Sequence, residues 1–236
     1  MAVSLRKEGR LARVLLDRPP LNVLDLSHLR ELETRLEEAR GATVILLQGG
    51  GGRAFCAGND VKDHAPDRAP AMLEAFHRAV RALLASDAVT VAWANGDALG
   101  GGCELVAACD LAYGAPGARF GQPEIDVGCF PPVAASLLPA RIGWKRACEM
   151  VLSGRRIDAE EAVRWGLLNG IGDAEETVRL LLAKSPAVLR IAKRALRAGT
   201  LEEAERLYRE ELLPLDDCAE AVRAFLEKRP PRWAGD

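Results

Sequence analysis

Two carboxylates and two glycine-bearing turns are the parts of this sequence best suited to do chemistry. Glu104 sits in Gly102-Cys103-Glu104-Leu105-Val106-Ala107, an otherwise apolar helix beginning, and Glu124 sits in Phe120-Gly121-Gln122-Pro123-Glu124-Ile125. Two carboxylates near one site can hold a water and divide acid and base roles. Glu104 also reads as a first-turn acid answering a helix dipole, and Glu124 as a solvated loop acid. Leu99-Gly100-Gly101-Gly102 follows a predicted strand and opens a short helix. Amides at such a start lack intrahelical partners, and glycines let a ligand approach the main chain. The pattern suits an anion or a developing oxyanion as well as it suits a tight strand–helix turn. Phe55-Cys56-Ala57-Gly58-Asn59-Asp60 is a second such turn. Two turns supplying one N–H each is a common way to assemble an oxyanion hole.

Other chemistries find less support. Gly49-Gly50-Gly51-Gly52-Arg53 reads as a plain turn, because no Gly-Lys-Ser/Thr follows. No Gly-x-Ser-x-Gly elbow is present for a serine hydrolase. His28 and His77 fall in helical patterns, and His64 lies in a loop near Asp60 and Asp63; no metal site is expected. The cysteines stand mostly in apolar stretches and form no CxxC pair, as expected of inert thiols in a reducing compartment.

These residues need a scaffold, and the pattern supplies one. Val3–Arg6 and Leu11–Leu16 read as a hairpin turning at Lys7–Arg10, with Arg18-Pro19-Pro20 stopping the second strand. Ser27 reads as an N-cap before Leu29, Leu32 and Leu36 at helical spacing, ending at Gly41. Thr43–Gln48 and Val89–Ala94 read as buried strands, with an amphipathic helix between them marked by Leu73, Phe76, Val80, Leu83 and Leu84. Alternating strands and helices to about residue 120 predict an α/β fold with parallel pairing. Helices dominate beyond. Asp158 with Glu161 and Thr200 with Glu203 are capping-box patterns, and Ser185-Pro186 is a cap before a first-turn proline. Apolar stripes such as Leu189, Ala192 and Leu196 mark these helices, and because no Ser/Gly linker precedes the tail it is expected to pack on the core.

The 236 residues carry 32 Lys+Arg against 34 Asp+Glu, for a net charge of −2. Such a balance gives no field for generic nucleic-acid binding. No apolar run approaches the roughly 18 residues of a membrane span. Met1–Arg10 carries three cations and no apolar signal-type stretch, so a cytoplasmic protein is expected.

Taken together, the motifs resemble the enoyl-CoA hydratase/isomerase (crotonase) family over nearly the whole chain. The likeness is strongest from Val91 to Asn169, where Asn95-Gly96-Asp97-Ala98-Leu99-Gly100-Gly101-Gly102-Cys103-Glu104-Leu105 and Phe120-Gly121-Gln122-Pro123-Glu124 match the family's hydratase signature. Ala54 to Lys62 is similar to its first oxyanion segment, and Phe225-Leu226-Glu227-Lys228-Arg229 to its C-terminal signature. The resemblance implies a spiral of β-β-α turns over residues 1–176 and a helical region over 177–236, packed on the core or on a neighbouring subunit. It implies trimers that often pair into hexamers. It implies an acyl-CoA thioester ligand, with no cofactor beyond the coenzyme A of the substrate. The amides of Asn59 and Gly101 would polarise the thioester carbonyl, and Glu104 and Glu124 would be acid and base. Ala57, Gly100 and Pro123 would line the substrate site. Asp60, Val61 and Lys62 would lie near the nucleotide of CoA, and Val23 near its pantetheine arm. Phe225 and Lys228 would serve a CoA site, including one in a neighbouring subunit.

The sequence departs from the family in three places. Asn59 replaces a small residue. Phe130-Pro131-Pro132-Val133 replaces a Gly-rich stretch bordering the acyl pocket, and the chain is short around Ile171–Thr177. Pro19–Asp25, Asp60–His64 and Phe130–Ala135 are similar to hydratases of cyclohexa-1,5-diene-1-carbonyl-CoA. The resemblance therefore implies a hydro-lyase. An isomerase on the same site, or a non-catalytic CoA- or RNA-binding homologue, are the alternatives.

Overall fold

A computed structural model describes residues 2–51 and 53–235; Gly52, within the glycine turn read above, lies outside the described residues. Strands β1 (Val3–Glu8) and β2 (Leu11–Leu16) form the expected hairpin. It turns at Gly9-Arg10, later than expected, because Gly9 takes φ +59 and Glu8 pairs Leu11 directly. Helix α1 (Leu26–Glu38) buries Leu29, Leu32 and Leu36. Its cap is Asp25, not Ser27: the Asp25 carboxylate accepts from the amides of Ser27 and His28 and from the Ser27 hydroxyl. A carboxylate one residue before the helix outcompetes a hydroxyl already inside it.

From here the chain winds in repeated turns. Strand β3 (Val44–Gly49) is followed by β4 (Ala54–Cys56) and helix α2 (Ala69–Ala85). Then come β5 (Val89–Ala94), β6 (Asp97–Leu99) and helix α3 (Gly101–Ala108). The next turn is β7 (Leu111–Gly114), β8 (Arg119–Gly121) and helix α4 (Pro132–Ile142). Helix α5 (Trp144–Ser153), β9 (Arg156–Asp158), helix α6 (Ala159–Trp165) and β10 (Gly170–Ile171) complete the core. Each turn gives its first strand to one sheet, ordered β1-β2-β3-β5-β7-β10, and its second to another, ordered β4-β6-β8-β9. Pairing is parallel except for β1 with β2 and β8 with β9. This is the expected spiral of β-β-α turns.

Strand period explains why β3 is apolar throughout. Ile45 and Leu47 face the main core with Phe55, Phe76 and Phe120, whereas Val44 and Leu46 face a second cluster with Val89, Val91 and Val178. Val178 belongs to α7 (Glu175–Leu182), which covers that outer face. Helices α8 (Pro186–Ala198), α9 (Leu201–Leu207) and α10 (Asp216–Leu226) follow. Asp158, Ser185 and Thr200 cap their helices as expected, accepting from the amides of Glu161, Val188 and Glu203. The tail's apolar stripe differs in part from expectation. Ala187, Ile191 and Lys193 of α8 are buried, while Ala192 is exposed and Leu196 is 84% exposed. Leu189 packs in part against the second cluster, as expected, and with Ala192 and Leu196 it lines an open groove of about 740 Å³ beside Arg141 and Arg197.

Candidate active site

The three glycines opening α3 are each required by a different close approach. A Cβ on Gly102 would stand 2.0 Å from the carbonyl oxygen of Cys56, so only glycine lets α3 start against β4. A Cβ on Gly101 would meet the Asn59 carboxamide at 3.0 Å. A Cβ on Gly100 would stand 2.5 Å from Glu124 Oε1, and Gly100 itself has φ +52. The amide of Gly100 donates to the carbonyl of Gly121 at 2.9 Å, which fixes the end of β8, and with it Glu124, beside the start of α3.

The other turn is held by a short parallel pairing. Ala57 N donates to Leu21 O, Leu24 N to Gly58 O, and Asp60 N to Leu24 O, all at 2.9 Å. In such a bridge the amide of the central residue, Asn59, points away from Leu24. Gly58, at φ +103, lies with its missing Cβ 3.4 Å from Gly101 N, so the two turns abut. Neither Asn59 N–H nor Gly101 N–H donates to another described residue. Asn22 secures the loop from below. It is fully buried at φ +51, and its Nδ2 donates to Ala54 O at 2.8 Å while its Oδ1 accepts from Arg18 N.

Helix α3 is buried on all sides, and Glu104 with it, at 3% exposure. Its Oε1 accepts from Ala134 N at 2.7 Å. Pro131 and Pro132 open α4, and the Ala134 amide is one of that helix's first-turn donors. Glu104 thus answers a helix N-terminus, but that of the following helix rather than its own. Burial pushes its carboxyl up to about 8, against the opposing hydrogen bond from Ala134 and with a push from Glu124. Glu124 stands on a 3₁₀ turn, Pro123–Val127, rather than in an open loop. Burial pushes it up to about 7, and its Oε2 is buried without a partner among the described residues.

Both carboxylates face one cavity of about 290 Å³. Its walls come from α2 (Met72, Leu73, Phe76), from Gly128–Pro132, and from Asn59 and His64. Val23, Ala57, Asp60, Val61 and Lys62 gather on the paired loops next to it. Asp60 caps the 3₁₀ turn Val61–His64, and Val61 and Lys62 are exposed. Phe225, 82% exposed on α10, and Lys228 just beyond it do not line the cavity. His64 sits on the cavity wall, with its Nδ1 3.1 Å from Asp60 O. Among the described residues no group of His, Cys, Asp and Glu is placed to hold a metal. Met72 and Phe76 are wall residues that the sequence did not mark as part of a site, since a helical stripe looks the same whether it fills a core or walls a cavity; His64, read in the sequence only as a loop residue near Asp60 and Asp63, joins them.

Comparison with known proteins decides the family. The sequence profile described as enoyl-CoA hydratase/isomerase matches residues 6–236. The chain belongs to the enoyl-CoA hydratase/isomerase family. It is 36% identical over 248 residues to cyclohexa-1,5-dienecarbonyl-CoA hydratase of Thauera aromatica, covering 99% of this chain and 96% of the relative. It is 32% identical to carnitinyl-CoA dehydratase of Proteus mirabilis (strain HI4320), covering 99% and 98%. The enoyl-CoA hydratase structure from Bacillus anthracis superposes with a TM-score of 0.93 at 29% identity, covering 100% of both chains.

Proposed function

We propose that this member of the family adds water reversibly across the α,β-double bond of an enoyl-CoA thioester. The observation that carries this reading is the pairing of two carboxylates, raised to about 8 and about 7, on one cavity beside two unengaged amides. Near neutral pH the pair holds about one proton between them and titrates as a unit. The ionised member takes a proton from water as its oxygen bonds to the β-carbon. The protonated member gives its proton to the α-carbon. Negative charge passes onto the thioester oxygen, where the amides of Asn59 and Gly101 receive it; such donors are worth roughly 10²–10³ in rate. The step balances without oxidant or metal, and coenzyme A is part of the substrate. Val23, Ala57, Gly100, Pro123 and the Asp60–Lys62 segment hold the rest of the thioester, with the exposed Lys62 toward its phosphates.

The acyl group is compact and cyclic in this reading. The stiff Phe130-Pro131-Pro132 wall, and the likeness to the Thauera aromatica hydratase, support a cyclohexadienoyl thioester. A cavity of about 150 Å³ suffices for benzene, so about 290 Å³ takes a six-membered ring. The protein is a homo-oligomer, a trimer or paired trimers, with Phe225 and Lys228 serving a neighbour's thioester. Support comes from the apolar surface of the C-terminal helices, where Leu196, Phe225 and Leu226 are 84%, 82% and 74% exposed. No described helix is long and apolar enough to cross a membrane. A cytoplasmic location fits the six unpaired cysteines, three of them buried with thiols pushed up to about 12.

The test is product analysis in ¹⁸O-water with crotonyl-CoA and cyclohexa-1,5-diene-1-carbonyl-CoA. One labelled oxygen in the acyl product is expected. An unlabelled product with a displaced double bond would make the protein an isomerase instead.

A further inference from the structure

We infer that the Asn59 side chain recognises a hydroxyl group on the acyl part of the thioester. This inference rests on the function proposed above, and goes beyond it by giving the side chain a role separate from its backbone amide.

Placement comes first. The Oδ1, Cγ and Nδ2 atoms of Asn59 lie 3.0, 3.2 and 3.2 Å from where a Gly101 Cβ would stand. The carboxamide therefore lies flat over Gly101. The amides of these same two residues are the ones turned toward the thioester oxygen. A side chain at that spot reaches the carbons next to the thioester carbonyl, not the nucleotide.

The second observation is unmet hydrogen bonding. Asn59 Oδ1 is buried and has no partner among the described residues. Its Nδ2 meets only the Met72 sulfur, at 3.5 Å, a weak acceptor. Asn59 as a whole is only half-buried, but a buried carbonyl oxygen left without a donor costs stability unless a ligand completes it. Most of the nearby wall is apolar (Met72, Leu73, Phe76 and Pro131), and of its polar members neither His64 nor Glu124 hydrogen-bonds the carboxamide. Glu104 is occupied by Ala134 N.

Chemistry then selects the ligand group. An alkyl chain offers a carboxamide nothing, and a ketone can only accept. A hydroxyl both donates and accepts, so it satisfies Asn59 whichever way the amide is turned. Hydration itself creates such a hydroxyl. The site is thus built to hold a hydroxyacyl thioester more firmly than its saturated counterpart.

Calorimetric titration tests this in the Glu124→Gln background, where turnover is silenced. Butyryl-CoA and 3-hydroxybutyryl-CoA are the probes, and the ratio of their Kd values is the readout. Asn59→Ala keeps the backbone N–H and removes the carboxamide; Asn59→Ser keeps a small polar group. We expect a ratio favouring the hydroxyacyl thioester that falls about 3- to 10-fold in Asn59→Ala, as for one neutral hydrogen bond, and less in Asn59→Ser. A ratio near one with Asn59 present, or one unchanged in both variants, overturns the inference while leaving the hydratase reading intact. Failure of both thioesters to bind with Asn59 present overturns both.

Discussion

In the spiral, side chains from Val3 to Leu168 meet in one continuous apolar core, and the polar groups inside it, such as Asn22 and Glu104, hold turns in place. The helices from Glu175 onward are fastened differently. Their buried residues include Ser185, Lys193 and Asp217. Asp217 accepts from Ser185 Oγ at 2.5 Å and from Ala234 N at 2.6 Å, and Lys193 pairs with Asp110 at 2.5 Å. Meanwhile Leu196, Phe225 and Leu226 face outward. A site made of two abutting backbone turns needs a rigid apolar scaffold behind it. A region stitched by polar contacts, with apolar residues outside, is suited to meeting other surfaces.

The comparison is broken most severely by Gly102→Ala. The added methyl would force α3 away from the Cys56 carbonyl, now 2.0 Å from the position of that Cβ. Hydration kcat should fall by roughly 10²–10³ as the paired amides separate, and the melting temperature should drop with it. A variant with normal kcat would mean that the abutting turns do not set the rate. Next in size is a pH effect on stability. The folded pKa of Glu104 is raised, so native protein keeps a proton that unfolded chain releases between pH 4.5 and about 8. Its contribution is full below the unfolded value and is lost as pH rises through the folded one. Denaturation at pH 5 and pH 8 should show Glu104→Gln gaining about 1–3 kcal/mol on wild type across that interval.

Asp217→Ala sharpens the other side. It leaves the Ser185 hydroxyl and the Ala234 amide unpaired and should cost about 1–3 kcal/mol in chemical denaturation, with kcat per folded site changed far less than in Gly102→Ala. Smallest for the fold is Leu196→Glu. At an 84% exposed position, the chain's own stability should move by no more than about 0.5 kcal/mol. Sedimentation should instead show weakened self-association. An unchanged association state would remove this groove from the assembly surface.

Much of this division was legible in residue order. Val89–Ala94 matches β5 residue for residue, because a continuous apolar strand between turns leaves little choice. The glycine and glutamate motifs are legible as short runs of sequence, although the contacts that require them, Gly102 with Cys56, Gly101 with Asn59 and Glu104 with Ala134, form only in the fold. The second sheet was not visible: β4, β6, β8 and β9 have three residues each, too few for a period to show. The Leu189, Ala192, Leu196 stripe has the right spacing for burial, yet spacing says nothing of which surface is supplied to cover it. Asn59 was legible as a backbone donor. The fate of its side chain depended on Met72 and Gly101, which are far along the chain and meet it only in the fold.

The central claim is that Glu104 and Glu124 together add water to an enoyl thioester. Loss of enoyl-thioester ultraviolet absorbance, followed with crotonyl-CoA and cyclohexa-1,5-diene-1-carbonyl-CoA, tests it most directly when wild type is compared with Glu104→Gln and Glu124→Gln. The account predicts turnover by wild type, faster with the cyclic dienoyl thioester, and a loss of roughly 10²–10⁴ in each variant. Turnover that survives either substitution, or wild type that binds the thioesters and hydrates neither, would contradict it.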